Sequence, residues 1–366
     1  MGFKPIVTKH KKRSPFRGSW RGYMTFLGID YQTWWFLLIG AVFTGYIILD
    51  GFDLGAGALH LFFVKEQSRR IVLNAIGPVW DGNEVWIVIG GGALFAGFPV
   101  VYATMLSAFY VPFMLFLLGI IFRAISIEFR SKEPMFWWRR MWDICYTCSS
   151  ALIAFLLGLI LGNVIEGINV GPDHVFHGSF LDFFNMYAIL MGITTLALLM
   201  MHGAIYLVMK TEDRLYAKLT ILVRDTTIFF VIMILLTSFY TLLYEPHMAK
   251  VIRSFPELFV IPVMMVLAIA NITRQITKRK YIYAFVSSAV TISLLMILVA
   301  IELYPNMLLS SQSPANHLTI YNSSSSEKTL GIMLTFAAIG VPLVVGYTTF
   351  VFMTFKGKVK LDEMSY

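Results

Sequence analysis

Four carboxylates near the ends of apolar segments are the residues of this sequence whose type and spacing could do chemistry. Asp50 and Asp53 lie in the motif DGFD, and Asp81 and Glu84 lie in the motif WDGNE, each beside a run of apolar residues. An ionisable group inside a membrane span costs about 2.5 to 3.5 kcal/mol on insertion scales, so such groups face protein or water and mark proton or ion paths. The four carboxylates are therefore candidates for proton transfer.

The first pair belongs to a polar stripe on an otherwise apolar segment. Residues spaced by three, four and three positions lie along one face of a helix: Asp50, Asp53, Gly57 and His60. Beside them, Gly51 and Gly55 have the small-xxx-small spacing that lets a neighbouring helix approach closely. The alternative is that the two aspartates only satisfy backbone groups or an arginine, for example Arg69, Arg70 or Arg123.

The second pair stands at the start of a helix. Pro78 ends any preceding helix, and Asp81 stands three residues before Glu84, which is the spacing of a capping box. The pair therefore either caps the helix or faces a polar site lined by protein, and both can hold together. Trp80 and Trp86 flank this entrance, where indole rings favour the level of the lipid headgroups, and we assign Trp80 a supporting structural role.

Three other motifs indicate packing rather than chemistry. Gly90, Gly91 and Gly92 form a packing surface, because no Lys-Ser or Lys-Thr follows them as a phosphate-binding loop would require. The single CxxC of Cys145 and Cys148 cannot complete a four-ligand zinc site alone, so we expect buried thiols. His202 stands alone in an apolar segment with no second histidine at a matching depth, so a hydrogen bond to a neighbour is expected rather than haem ligation.

The composition is that of a polytopic membrane protein. Of the 366 residues, 58% are hydrophobic and 14% are charged, which is too apolar for a soluble domain. The sequence predicts an all-α fold, because nine apolar segments can each hold a span of about 20 residues. The nine segments are 34–60, 85–102, 108–127, 142–164, 183–208, 226–244, 258–272, 283–303 and 330–355.

The basic residues follow the loops between these segments. The net charge of +8 does not indicate nucleic-acid binding, because nearly all Lys and Arg between the spans fall in alternate loops, as the positive-inside rule produces. The C-terminus is then cytoplasmic and, with nine spans, the N-terminus lies outside. Arg130 and Lys132, at the end of the third segment, are expected to snorkel to the headgroups.

The chain divides into three parts by composition. Residues 1–33 form a basic extension, residues 34–355 the membrane domain, and residues 356–366 a cytoplasmic tail. Seven Lys or Arg precede Tyr23, on the side that the loop charges assign to the outside. This contradicts the positive-inside rule, so the segment is either an extracellular basic tail or the product of a start placed too far upstream, and we expect translation to begin at Met24.

Two long motifs resemble a known family. LDGFDLG at 49–55 and GPVWDGNEVW at 77–86, followed by GGGALFAGFPVVYA at 90–103, resemble subunit II of the bd-type quinol oxidases of bacterial respiratory chains, including the cyanide-insensitive branch. The resemblance implies an inner-membrane protein of about nine helices, in two four-helix bundles plus one extra helix. It also implies a heterodimer with a haem-bearing subunit I in the lipid bilayer, with quinol and oxygen as substrates.

The resemblance further implies a division of labour between the two subunits. Haem b and haem d would be bound by subunit I, and this chain would bind no cofactor and no metal. Subunit II would support its partner and contribute carboxylates to a cytoplasm-facing proton path. The positions that match are Asp50, Asp53 and Asp81, and Glu84 is the fourth carboxylate of the candidate path.

Two other classes of function remain as alternatives. A proton- or ion-coupled secondary transporter would also use intramembrane carboxylates, but it often carries broken helices in both halves of the chain. Here the carboxylates cluster in the first half and near one surface. A purely structural or assembly subunit would tolerate Asn at Asp50 and Asp53 without loss of turnover.

Overall fold

The structure is a computed structural model that describes residues 25–245, 247 and 250–361. The basic segment that motivates a start at Met24 lies outside the described residues, so that expectation stays a prediction. The same holds for the last five residues of the cytoplasmic tail.

Helices make up nearly all of the described chain. The twelve α-helices found in these residues are α1 Tyr31–Ala58, α2 Glu66–Ile76, α3 Trp80–Gly97, α4 Pro99–Ala108, α5 Tyr110–Phe129, α6 Phe136–Glu166, α7 Met186–Lys210, α8 Asp213–Tyr244, α9 Lys250–Ser254, α10 Val260–Thr277, α11 Tyr281–Leu303 and α12 Glu327–Thr354. Two small antiparallel hairpins accompany them, β1 Thr25–Phe26 with β2 Ile29–Asp30, and β3 Asn306–Leu308 with β4 Leu318–Thr319. The all-α prediction is confirmed.

Eight helical segments of the described residues are long and apolar enough to cross a membrane. They are Tyr31–Phe62, Tyr110–Phe129, Phe136–Glu166, Met186–Lys210, Arg214–Tyr244, Pro256–Thr277, Tyr281–Leu303 and Glu327–Thr354. The second predicted segment is instead divided between α3 and α4. The break falls at Phe98, directly before Pro99, whose ring disfavours helical geometry in the residue preceding it. The arrangement of nine spans in two bundles stays a prediction.

Polar side chains fix the starts of three spans. Asp30 precedes α1 and accepts a hydrogen bond from the backbone N–H of Thr33 at 2.7 Å. Asn185 does the same for α7, and Ser326 for α12. Each satisfies a backbone N–H group that has no partner within the first helical turn.

Helix α1 lies among α3, α6 and α7, and its second half is enclosed. Every residue from Asp50 to His60 is buried. A Cβ atom added at Gly55 would lie 1.8 Å from the carbonyl oxygen of Leu199, and one added at Gly203 would lie 2.5 Å from the amide nitrogen of Ala56. Helices α1 and α7 therefore touch backbone to backbone, and the predicted close approach at Gly55 is confirmed.

The three consecutive glycines of α3 differ in how closely neighbouring side chains approach them. A Cβ atom at Gly90 would lie 2.8 Å from the ring of Phe43 on α1, so this glycine admits a neighbouring side chain. Gly91 and Gly92 have nothing within 4 Å of the corresponding position. The predicted packing surface is correct for Gly90 and wrong for the other two within this chain, because α1 contacts only one side of α3.

Candidate functional site

The polar stripe of α1 faces protein. Asp50, Asp53 and His60 are all buried, together with Gly57 between them. The expectation that these residues face protein is therefore confirmed. Their partners come from α3, α5 and α6.

Asp50 forms a buried ion pair with Arg123 of α5. The two guanidinium nitrogens Nη1 and Nη2 donate to the two carboxylate oxygens of Asp50 at 2.9 and 2.6 Å. Nη2 also donates to Oε2 of Glu84 at 3.1 Å. Arg123 and Asp50 are each almost fully enclosed, so this forked pair is shielded from solvent. Arg123, one of the three arginines named as possible partners of the aspartates, is therefore the partner of Asp50.

Asp53 has a different environment. Its Oδ2 accepts a hydrogen bond from the side-chain amide of Asn83 at 2.8 Å, and that amide lies 3.2 Å from the carbonyl oxygen of Leu49. Its Oδ1 is buried without a hydrogen-bond partner in the described part of the chain, and none of the ion pairs found there involves Asp53. Asn83 was missed from sequence, although it lies between the two carboxylates of the WDGNE motif.

The charges of this cluster do not balance. Asp50, Asp53 and Glu84 contribute three carboxylates around a single guanidinium, that of Arg123. An uncompensated charge in a buried position is costly, and such a group becomes neutral instead. The cluster therefore favours holding at least one proton, and Oδ1 of Asp53 is the oxygen left open for it.

Asp81 lies outside this cluster, at the exposed start of α3. Helix α3 begins at Trp80 after Val79, and no side chain caps it. The capping-box prediction is wrong because the side chain of Glu84 contacts Arg123 instead of turning back to the helix start. Asp81 still lies in the first turn, where the helix dipole favours an anion, and one turn outward from Glu84.

Trp80 lies inside the protein. Its side chain is only 8% exposed and belongs to the hydrophobic core around α2 and α7. The expectation that this ring faces the lipid headgroups is wrong, because it packs into the core formed with α2 and α7. Its supporting role stays a prediction, while the ring of Trp86 packs over Gly45 of α1.

A second buried cluster surrounds Asp143, near the start of α6. Oδ1 of Asp143 accepts hydrogen bonds from His60 Nε2 and from Arg130 Nε, each at 2.6 Å. Its Oδ2 accepts one from Arg69 Nη1 at 2.8 Å. Because Arg130 is buried in this network, its predicted snorkelling is wrong. No local pattern predicts the pairing of His60 with Asp143, since 83 residues separate them.

Glu66 of α2 connects this second cluster to the surface. Both of its carboxylate oxygens accept hydrogen bonds from Arg130, at 3.1 and 2.8 Å, and its side chain is 43% exposed. Partial burial alone would raise the pKa of Glu66, but the hydrogen bonds and charge of Arg130 outweigh it and lower the pKa. Glu66 therefore stays ionised at neutral pH.

Comparison with known proteins identifies the family. The family model described as cytochrome bd terminal oxidase subunit II matches residues 31–355. The chain belongs to this family. Its relatives include the cytochrome bd ubiquinol oxidase subunit 2 of Bacillus subtilis, 32% identical over 91% of this chain and 98% of the relative. The cytochrome bd-I ubiquinol oxidase subunit 2 of Escherichia coli is 29% identical over 92% of this chain and 98% of the relative.

A solved structure shares the fold of this subunit II. The bd oxidase from Geobacillus thermodenitrificans contains a chain that superposes with a TM-score of 0.74 at 17% sequence identity. The match covers 89% of this chain and 98% of the other. Together with its long apolar helices, the family assigns this subunit II chain to the multi-pass membrane proteins.

His202 of this subunit II is fully engaged by neighbours. Its Nε2 donates to the carbonyl oxygen of Ile48 at 2.9 Å, and its Nδ1 lies 2.7 Å from Oγ of Ser288. Its ring stacks on Phe285. A haem or metal ligand needs one ring nitrogen free, so His202 does not fit that role, and the expected hydrogen-bonded role is confirmed.

No alternative ligand cluster accompanies His202. Within 25–245, 247 and 250–361, no group of three or more His, Cys, Asp or Glu side chains could hold a metal ion. Cys145 is half-buried and Cys148 is exposed, and neither forms a disulfide. The expectation of two buried thiols is wrong for Cys148, because it lies on the outward side of α6.

Proposed function

We propose that this chain is the haem-free subunit II of a respiratory bd-type quinol:oxygen oxidoreductase in the bacterial cytoplasmic membrane. It supports a haem-bearing subunit I and carries protons toward the site of oxygen reduction in that partner. Membership of the subunit II family supports the assembly, and the names of the curated relatives support ubiquinol as the electron donor of the complex.

Haem b, haem d and the quinol site are assigned to subunit I in this proposal. Support comes from His202, whose two ring nitrogens are both taken by neighbours. The chemistry left to this chain is therefore proton movement and structural support, which need no cofactor of its own.

The proposed path begins at the exposed carboxylate of Asp81 and continues one turn inward to Glu84. From there it passes the Asp50–Arg123 pair and reaches Asp53. The observation that carries the proposal is the environment of Asp53, a buried carboxyl that has, among the described residues, no ion-pair partner and one open oxygen. Such a group can take up and release a proton without breaking a salt bridge.

The path faces the cytoplasm in this proposal. The basic residues of the first interhelical loop, such as Arg69 and Arg70, favour a cytoplasmic position for the end of α1 and the start of α3. The C-terminus is then cytoplasmic and the N-terminus outside. Oxygen reduction would draw protons from the cytoplasm while quinol oxidation releases its protons outside, so charge is separated without a pump.

Replacing Asp53 with Asn tests the proposal. Asn keeps the shape and one acceptor oxygen but carries no exchangeable carboxyl proton, so quinol-driven oxygen uptake by the purified oxidase should fall at least about tenfold while its haem spectrum is unchanged. The matched control is Asp225→Asn, the same chemical change at an exposed residue of α8 that pairs with its neighbour Arg224. Wild-type turnover and proton uptake in Asp53→Asn would refute the proton path.

A structural role is the second candidate, and one observation favours it for Asp50. Its two oxygens both bind the buried guanidinium of Arg123, so this residue holds α1 against α5. In the variants, loss of haem and of subunit I together with activity would assign the affected residue to assembly. The two candidates therefore predict different outcomes at Asp50 and Asp53.

A further inference from the structure

We propose that a second line of polar groups, running along the contact between α1 and α6, delivers protons from the partly exposed Glu66, past the cluster around Asp143, to Asp53. We call it the α1–α6 line and define it by His60, Tyr146, Ser150 and Asp53. It rests on the proposed function, because it supplies a second entrance to the same acceptor.

Four buried polar atoms without partners carry this proposal. They are Nδ1 of His60, the hydroxyl oxygen of Tyr146, Oγ of Ser150 and Oδ1 of Asp53, none of which forms a hydrogen bond within the described residues. All four side chains are enclosed by the protein. Because the large majority of buried polar groups have a partner, four such atoms on one helix contact are unusual. Sites of this kind are where ordered water bridges protein groups.

Gly57 brings the four groups together. A Cβ atom at this position would lie 2.1 Å from Oγ of Ser150 and 3.1 Å from Cζ of Tyr146, so both hydroxyl-bearing side chains of α6 lie against the bare backbone of α1. Gly57 follows Asp53 by four residues, about one helical turn or roughly 5 Å along α1. His60 lies three residues after Gly57, just beyond the end of α1. The ring of His60 meets the edge of the Tyr146 ring at 5.1 Å between centroids.

The outer end of the line is the imidazole of His60. Its Nε2–H donates to Asp143, so in the neutral ring Nδ1 carries the lone pair that can accept a proton. The resulting imidazolium is stabilised by Asp143, while Arg69 and Arg130, which contact the same carboxylate, oppose it. His60 is therefore suited to passing a proton on rather than storing it. Glu66, bound to Arg130 and partly exposed, joins this end to the cytoplasmic solvent.

Hydroxyl groups can complete the transfer because each both donates and accepts. Water bridging from the partly exposed Glu66 gives a proton to the lone pair at Nδ1 of His60 and forms the imidazolium. The N–H bond at Nδ1 then breaks as an O–H bond forms on the next oxygen, whose own proton moves on, through Tyr146, Ser150 and bridging water, to Oδ1 of Asp53. The net change is one proton moved and none consumed, and no electron is transferred. Rotation of the two hydroxyls restores the starting arrangement.

Two conservative variants separate this role from a structural one. Tyr146→Phe and Ser150→Ala each remove one oxygen that has no hydrogen-bond partner, so a purely structural role predicts unchanged thermal stability and unchanged turnover. The α1–α6 line predicts that quinol-driven oxygen uptake, and proton uptake by vesicles containing the assembled oxidase, fall by about half in Tyr146→Phe, because the entrance at Asp81 remains. They should fall about tenfold or more when Tyr146→Phe is combined with Asp81→Asn, which closes that entrance. The haem spectrum should be unchanged.

Tyr206→Phe is the matched control. Tyr206 is another buried tyrosine, on α7, and its hydroxyl is engaged because it donates to the carbonyl oxygen of Ala75 at 3.0 Å. Its removal should leave turnover near the wild-type value.

The outcomes also separate this inference from the proposed function. Wild-type turnover in both Tyr146→Phe and Ser150→Ala, with a slow Asp53→Asn variant, would overturn the α1–α6 line and leave the entrance at Asp81 as the path. Wild-type turnover in Asp53→Asn as well would refute the proposed function itself. Slow turnover accompanied by loss of haem in Tyr146→Phe would also overturn the line, because it would show that the tyrosine supports assembly.

Discussion

Replacing Asp50 with Asn and replacing Asp53 with Asn should have different consequences for stability, although both remove a carboxylate from the same face of α1. Asp50 accepts two hydrogen bonds from the enclosed guanidinium of Arg123, at 2.9 and 2.6 Å. Removing one partner of a buried ion pair costs about 3–5 kcal/mol, because it leaves the other charge uncompensated. Glu84 remains 3.1 Å from the guanidinium, so we expect Asp50→Asn to fall at the lower end, about 3 kcal/mol.

Asp53→Asn should cost much less. The oxygen of the new amide can still accept the hydrogen bond from Asn83, and no ion pair is lost. The exchange of one hydrogen-bonded group for another should change the free energy of unfolding by at most about 1 kcal/mol. The measurement is thermal unfolding of the purified oxidase in the same detergent, followed by haem absorbance, with oxygen uptake measured on the same samples.

The comparison can fail in two ways. Equal destabilisation by both variants would mean that Asp53 has a charged partner and that the contrast between the two aspartates is incorrect. A stable Asp50→Asn variant would mean that Glu84 alone balances Arg123. The double variant Asp50→Asn with Arg123→Gln is the control, since removing both charges should recover part of the stability lost in Asp50→Asn.

Three further predictions follow from local contacts. Gly55→Ala forces a methyl group against the backbone of α7 and should destabilise the oxidase by about 3 kcal/mol in thermal unfolding, whereas Gly91→Ala meets open space and should be neutral. The chain expressed without its partner should show no Soret band, and His202→Ala should leave the haem content of the complex unchanged. Arg130 lowers the pKa of Glu66, so the ionised Glu66 stabilises the fold above its ordinary pKa of about 4.3, and this stabilisation is lost as the pH falls through the lowered pKa. The melting temperatures of wild type and Glu66→Gln should therefore converge at acidic pH.

Features that depend on helical periodicity could be predicted from the sequence. The cost of an ionisable group facing lipid applies whatever helix packs nearby, so Asp50 and Asp53 were correctly expected to face protein. The spacing of Gly51 and Gly55 likewise predicted a close neighbour. The lengths of the apolar segments predicted the long helices, because a membrane span must satisfy its backbone hydrogen bonds within itself.

Features that depend on distant partners could not be predicted. The spacing of Asp81 and Glu84 is the same for a capping box and for an ion pair, and only Arg123, 39 residues after Glu84, decides between them. The pairing of His60 with Asp143 leaves no local pattern at all. Periodicity also cannot tell which glycine of a small-residue run receives a neighbour, as the contrast between Gly90 and Gly91 demonstrates.

Hydrogen-bond saturation separates the acidic residues of this chain into two kinds. Asp143 is held by two arginines and a histidine, and Asp50 by two nitrogens of one arginine. A proton arriving at either carboxylate would have to displace a charge-assisted hydrogen bond, which is roughly twice as strong as a neutral one. Asp53 keeps one oxygen open and so can bind a proton without that cost. In the proposed path, the saturated carboxylates therefore fix the helices, and the residues with an open atom carry the proton between them.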